Sequence, residues 1–350
     1  METRLSRTLH RPPGLRSPGL VPALFLFLSL GGILPGCRRP YPVRESRPAM
    51  GTVLSLELET TGPGRAGRIR EKFWAEAERL EDIFNRYDPE SELSRLNREA
   101  PAGPVAVSRE MFEVLSRAVE ISRLTDGAFD VTVGPLVEAW GFFPDREGRL
   151  PGPEEVEAAR SRVGWENISL DRESRTVRYL HPGLEIDLGG LAKGYVVDRL
   201  ADLLAGEGVT GALINAGGDI YCLGRHPEGR GWRIGIEHPR IEGEVLAVLE
   251  LADRAVATSG DYRNYFIHLD RRYSHILDPR TGGPARTGVM ESTVLAPDCL
   301  TADGLATALF VLGPERGLEI IESGEGWEGL LVVDREGEIV IRRSSGFPAE

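Results

Sequence analysis

Asp303 and Thr307 stand four residues apart in the stretch "DCLTADGLATALFVLGP" (298–314). On a helix that spacing puts a carboxylate and a hydroxyl on one face, while Leu305, Leu309 and Leu312 serve another. The pair supplies hard oxygen ligands of the kind Mg2+ takes, an ion that accepts few protein ligands and completes its shell with phosphate and water. A plainer arrangement uses the same residues, with the Thr307 hydroxyl bonded back to the Asp303 carbonyl and the aspartate solvated. Without context the plainer arrangement is preferred.

A second candidate is "EIDLGGLAKGYVVDRL" (185–200), read as a strand, a Gly189-Gly190 corner and the start of a helix. Two glycines let the backbone approach a ligand with no Cβ in the way. The helix start offers free N–H groups, Lys193 adds a full charge one turn in, and Asp187 flanks the corner. The spacing matches neither G-x-x-x-x-G-K-[ST] nor G-x-G-x-x-G, so a close strand–helix corner with a surface lysine explains it equally well. In "NAGGDI" (215–220), Gly217-Gly218 and Asp219 form another constricted turn, which a β-bulge also accounts for. His275, in "YSHILDPRTGGPA" (273–285), sits among apolar strand residues beside a glycine-rich turn. It reads either as a hydrogen-bonded structural histidine or as a base. "PAMGT", "RYDPESELSRLN" and "DGAFDVTVGPLVEAWGF" read as turns and core packing, or as segments whose Met50, Tyr87 and Phe129 frame a planar ring.

These groups need elements to hold them. Helical spacing covers 66–87, 108–125 (with Ser108 as N-cap and Gly127 beyond its end), 151–164, 191–205 and 300–312. Strands are expected at 52–60, in a hairpin over 168–180, in "LEIDLG", and over 211–224, 232–239 and 245–260. "YFIHLD", "YSHILDP" and a closing hairpin complete the set. Tight turns between strands and the lack of a sustained βαβ alternation favour α+β, with much of the sheet antiparallel. The 350 residues are 41% hydrophobic and 27% charged, ample for a core, and the net charge of −12 excludes a nonspecific nucleic-acid binder. Residues 1–37 read as a secretory leader: basic residues, then "LVPALFLFLSLGGIL", then "LPGC" ending at Cys37. That ending resembles a bacterial lipobox, in which the cysteine carries the lipid, although Pro35 is irregular there. The expectation is a membrane-anchored lipoprotein facing the extracytoplasmic side of the cell envelope. Residues 38–48 read as a tether and 49–345 as a single domain. Cys222 and Cys299 have no metal or disulfide spacing and read as buried inert thiols.

Taken together, "MGT", "YDPESELSRLN", "GAFDVTVGPL", "IDLGGLAKGYVVD", "NAGGDI", "SGDY", "SHILDPRTG" and "DGLATALFVLG" follow one another from Met50 onward. That series closely resembles the ApbE family of FAD:protein FMN transferases. The resemblance implies an α+β, T-fold-related architecture of two interlocked α/β lobes with largely antiparallel sheet and FAD in the cleft between them. It implies Mg2+-dependent transfer of FMN from FAD to a threonine or serine hydroxyl of a target protein, releasing AMP. The implied recipients are subunits of the sodium-translocating NADH:quinone reductase type or other FMN-binding-domain proteins. Met50, Tyr87, Ala128, Phe129, Asp130, Asp187, Lys193 and Ile276 match FAD-contacting positions. The Gly190 carbonyl, Asp303 and Thr307 match a Mg2+ site, and His275 matches a catalytic histidine. Two rival readings remain: a pyrophosphatase that spends FAD on water, and a lipid-anchored FAD-binding protein without turnover.

Overall fold

The computed structural model describes residues 41–143 and 148–348. The leader, with Cys37, lies outside them. The expected tether does not survive: β1 (Tyr41–Ala49) pairs along its whole length with β2 (Thr52–Thr60), Tyr41 opposite Thr60 and Ala49 opposite Thr52. Pro42 and Pro48 are compatible with this because β1 is the edge of the sheet, where a missing N–H costs no ladder bond. Val43 is buried, and Glu45 binds Arg70 and the Trp74 indole N–H of the next helix. A proline-rich, charged run thus reads as linker by composition but is sheet by its contacts.

That helix, α1 (Pro63–Phe84), opens on proline and buries Ile69, Phe73, Ala77 and Leu80 on one stripe. Phe73 alone is worth about 1.5–3 kcal/mol of burial. It ends before Arg86 and Tyr87, which the expected span had included. α2 (Glu92–Glu99) follows, capped by Ser91, where only a turn was expected. After β3 (Val105–Ala106), α3 (Arg109–Leu124) is capped by Ser108 as anticipated, and Gly127 beyond it is left-handed at φ 73°. α4 (Gly134–Trp140) and α5 (Pro153–Arg160) lead to β4 (Ile168–Asp171) and β5 (Thr176–Tyr179), the expected hairpin.

"LEIDLG" is not a ladder strand. Its single bridge is a parallel one between Glu185 and Val133, and its other backbone groups are satisfied elsewhere. The Asn97 side chain accepts from Ile186 N and donates to Ile186 O, both at 2.9 Å, and Asp187 N donates to Val131 O. An amide side chain here replaces a neighbouring strand.

α6 (Ala192–Gly206) then leads into β6 (Gly211–Ala216) and β7 (Asp219–Gly224), turned by Gly217 and Gly218. The remaining strands are β8 (Trp232–Glu237), β9 (Val245–Leu251), β10 (Arg254–Gly260), β11 (Tyr265–His268) and β12 (Arg271–Ser274). β13 (Leu277–Asp278), β14 (Gly283–Pro284) and β15 (Val289–Ala296) precede α7 (Cys299–Leu312). The chain closes with α8 (Pro314–Ser323), which was not anticipated, then β16 (Glu328–Arg335) and β17 (Glu338–Arg343).

The main sheet has eight antiparallel strands in the order β1-β2-β6-β7-β10-β15-β16-β17. The strands cross the sheet in chain order, the early ones at one side and the late ones at the other, in keeping with the expected α+β class. One sheet face packs on the helices through Leu54, Leu56, Ile214 and Val294, with Phe73, Val196 and Leu305 opposite. The other face is covered by the β8–β9 hairpin through Trp232, Ile234 and Leu249, and by Phe347. β15, between these layers, is buried at every position, as a strand covered on both faces must be. Cys222 and Cys299 are buried free thiols, and burial pushes the Cys222 pKa up to about 12. Among the described residues no helix is long and apolar enough to cross a membrane.

One contact decides where the chemistry sits. A Cβ on Gly194 of α6 would lie 2.5 Å from the Cys299 carbonyl oxygen, so only glycine lets α6 come this close to the start of α7. Asp198, one turn on, accepts from Cys299 N at 2.7 Å and Leu300 N at 2.9 Å. It satisfies donors that a helix start leaves open. These contacts dock the first turn of α7 against the first turn of α6.

Candidate active site

A cleft of about 470 Å³ opens where the ends of strands β2, β7 and β10 meet α6, α7 and the loop after α3. All twelve described residues singled out from the sequence line it: Met50, Tyr87, Ala128, Phe129, Asp130, Asp187, Gly190, Lys193, His275, Ile276, Asp303 and Thr307. Its size is that of a small-molecule site.

At its floor, the α6–α7 docking brings Lys193 to Asp303. The ammonium lies 3.4 Å from Asp303 Oδ2 and 2.9 Å from Asp219 Oδ2, and donates to the Gly189 carbonyl at 3.0 Å. Burial alone would lower the Lys193 pKa, but the two carboxylates outweigh it and hold it above its ordinary value. Asp303 also accepts from Gly194 N at 3.2 Å. Burial first, and the neighbouring Asp219 second, push its pKa up to about 7 in spite of Lys193. Asp219 Oδ2 is off the direction of a good hydrogen bond and has none among the described residues. Two buried carboxylates thus share one ammonium, leaving acceptor capacity for further positive charge. Thr307, one turn after Asp303, is 3.2 Å from the Ser259 hydroxyl, and a Cβ on Gly190 would sit 3.2 Å from Thr307 Oγ1. The twin-glycine bend and the α7 face therefore meet directly.

Beside the bend, Asp187 accepts from Gly189 N at 2.7 Å and from Arg86 at 2.5 Å, and Arg86 also reaches Glu185 at 2.8 Å. Arg86 is buried, and these carboxylates keep its pKa above the ordinary value against desolvation. The guanidinium pins the segment whose backbone Asn97 supports.

The opposite wall carries His275. It falls in the break between β12 and β13 and not within a strand, because its N–H and its ring both turn to the Asn264 carbonyl. The distances are 3.0 Å from N and 2.9 Å from Nδ1. A carbonyl only accepts, so Nδ1 carries the proton and Nε2 keeps its lone pair. Burial lowers the His275 pKa and favours this neutral ring. Ile276 is buried next to it, its N donating to Ser274 Oγ.

Much of the remaining lining is apolar or aromatic. Met50 and Gly51 both have positive φ, 55° and 68°, as the two-residue turn joining β1 to β2 requires. Met50 N is tied to Glu81 at 3.0 Å. Tyr87 is half exposed and meets Phe143 edge-on at 6.1 Å. Ala128 and Phe129 are buried. Asp130 is buried too, and its oxygens accept from Thr132 N, Thr132 Oγ1 and Trp165 N at 2.7–2.9 Å. Desolvation raises its pKa to about 6. It braces the loop that presents Ala128 and Phe129.

Sequence reasoning noted Asp219 in the second glycine turn without giving it a role, and did not select Arg86, Ser259 or Arg263. Asp219 and Ser259 lie in "NAGGDI" and "SGDY", segments already noted, and Arg86 adjoins Tyr87. Their partners lie far along the chain, so spacing carried no signal for them.

The ApbE family profile matches residues 50–331. A Vibrio cholerae protein named FAD:protein FMN transferase is 40% identical over 297 residues, covering 84% of this chain and 88% of that protein. An Escherichia coli K12 protein of the same name is 34% identical, covering 83% of each. Among solved structures, the flavin transferase ApbE from Vibrio cholerae superposes with a TM-score of 0.80 at 37% identity. It spans 88% of this chain and 98% of its own. The ApbE protein of Thermotoga maritima gives a TM-score of 0.80 at 36% identity, with the same coverage. With a family match over most of its length and relatives well above chance identity, this chain belongs to the ApbE family.

Proposed function

We propose that the chain transfers FMN from FAD to a threonine or serine hydroxyl of a target protein, releasing AMP, with Mg2+ as cofactor. The observation that carries this reading is the convergence of Gly190, Lys193, Asp303 and Thr307 on a cleft that His275 also lines, its Nδ1 held by the Asn264 carbonyl. FAD-contacting roles for Met50, Tyr87, Ala128, Phe129, Asp130, Asp187, Lys193 and Ile276 belong to the same reading.

The acceptor hydroxyl oxygen attacks the FMN-side phosphorus of FAD. A phosphorus–oxygen bond forms, the bond to the bridging oxygen breaks, and AMP departs with that oxygen. The hydroxyl proton passes to His275 Nε2. Lys193, next to the Gly189-Gly190 bend, offsets the negative charge of Asp219 and Asp303 at the floor, and the glycines leave the backbone open to the diphosphate.

The residues fit Mg2+. Among the described residues no cluster of three or more His, Cys, Asp or Glu side chains forms a metal site. Mg2+ needs none, because it keeps waters and substrate phosphates as ligands. The Gly190 carbonyl, Asp303 and Thr307 would hold it where Asp303 and Asp219 share one ammonium. When bound, it supplies positive charge against the diphosphate as AMP leaves.

The test is to mix the purified chain, FAD, Mg2+ and an FMN-binding-domain protein, a recipient of the sodium-translocating NADH:quinone reductase type being suitable. Covalent flavin in a denaturing gel, formed one for one with AMP, is expected. AMP released equally fast without recipient would make water the acceptor and favour the pyrophosphatase.

The basic and apolar leader ending at Cys37 supports a lipid-anchored enzyme on the extracytoplasmic side of the membrane. Cys37→Ala is then expected to move the protein from the membrane to the soluble fraction. Unchanged fractionation would remove the lipid anchor from the reading.

A further inference from the structure

Four arginines gather where β10 runs into the β11–β12 hairpin, and three of them have evident uses. Asp261 binds Arg240 through both carboxylate oxygens at 2.7 Å and Arg272 at 3.3 Å. Arg271 lies over the Tyr273 ring on the hairpin. Arg263 lines the cleft instead and makes no ion pair among the described residues.

Its position is built. The guanidinium carbon lies 5.6 Å from the centre of the Tyr262 ring, over its face. On its other side, Nη2 is 3.1 Å from where a Cβ on Gly218 would sit, a left-handed turn position at φ 104°. Any side chain at 218 would displace it. Tyr262 is itself anchored, its hydroxyl donating to Glu291 at 2.5 Å. Glu291 is fully buried in β15, where desolvation pushes its pKa up to about 7. Gly260 makes room for the ring, since a Cβ there would lie 2.5 Å from Tyr262 Cε1. A buried carboxylate thus holds a tyrosine, whose face and a glycine turn hold a cation.

The charge balance of the lining gives that cation a purpose. Four aspartates, Asp130, Asp187, Asp219 and Asp303, face two cations, Lys193 and Arg263. Lys193 is taken up by Asp219 and Asp303. A diphosphate entering this acidic cleft therefore meets one cation that is in no ion pair among the described residues, Arg263, whose charge also steadies the buried Glu291. A guanidinium, planar and carrying five donors, matches phosphate oxygens in pairs.

We infer that Arg263 is a substrate-binding residue that pairs with a phosphate oxygen of the dinucleotide and keeps hold of the AMP phosphate after transfer. This rests on the FAD-dependent reading above and adds a residue to it.

FAD affinity, read by flavin fluorescence at fixed Mg2+, and inhibition by AMP test the inference in the wild type, Arg263→Gln and Arg263→Lys. Because Arg263 is exposed, both variants are expected to fold. In Arg263→Gln the FAD Kd should rise about tenfold or more, AMP inhibition should weaken at least as much, and the salt dependence of binding should flatten. Arg263→Lys should recover part of the loss. FAD and AMP binding within twofold of wild type in Arg263→Gln would overturn it. So would weaker binding with unchanged salt dependence, which reports packing and not charge. A wild type that binds no FAD sinks the functional reading itself, and this inference with it.

Discussion

Replacing Asp303 with asparagine is expected to lower FMN transfer on the order of 10³-fold while the chain stays folded. Asparagine keeps the shape and one acceptor for Gly194 N, so the α6–α7 docking survives. What disappears is the charge. Lys193 is then balanced by Asp219 alone, and the α7 face beside Thr307 has no anionic oxygen with which to hold Mg2+. Alanine should cost as much activity and some stability besides, because it leaves the buried Gly194 N–H without its acceptor. The measurements are covalent flavin on a recipient protein across a Mg2+ titration, with thermal unfolding as control. Asp303→Asn working within tenfold of wild type at the same Mg2+ would end the metal-ligand assignment.

His275→Ala carries the next largest effect, a fall of about 10²–10⁴-fold in transfer, the usual worth of a positioned general base. The pH profile distinguishes this role from a structural one. In the proposed role the working form is neutral, with the proton on Nδ1 and the lone pair on Nε2. Burial disfavours the imidazolium, so the folded pKa lies below the ordinary value, about 6.5. With Mg2+ saturating, which would keep Asp303 ionised, the His275 contribution should therefore appear as an acid limb centred below the ordinary imidazole value. His275→Ala should lose the limb along with the rate. If the variant keeps the wild-type acid limb, another group titrates there. If it keeps the rate, His275 is not the base.

Which parts of this site were legible in the sequence follows from how far apart the cooperating groups lie. Asp303 and Thr307 are neighbours on one helix, so their shared face follows from helical period alone. The Gly189-Gly190 bend and Lys193 lie within one turn, and Ser108 caps the helix that follows it. Arg86 with Asp187, Lys193 with Asp219, and His275 with the Asn264 carbonyl are tertiary pairs, and no local pattern announces them. The misread elements have the same origin. β1 looked like linker because its charges and prolines are tolerated on an edge strand with one buried side. "LEIDLG" looked like strand because its residue types are, yet Asn97 takes the hydrogen bonds that a neighbouring strand would have taken.

The sequence by itself determined most of the helices and hairpins and the antiparallel character of the sheet, which are written in periods and turns a few residues long, and a series of short motifs along the chain carried the likeness to the family. Tertiary structure alone decided that Gly194 and Asp198 bring α6 onto α7, that two buried carboxylates share one lysine, and that Arg263 has no ion pair among the described residues. Those outcomes depend on close packing and on the balance of charge in a buried space, which exist only once distant segments have come together.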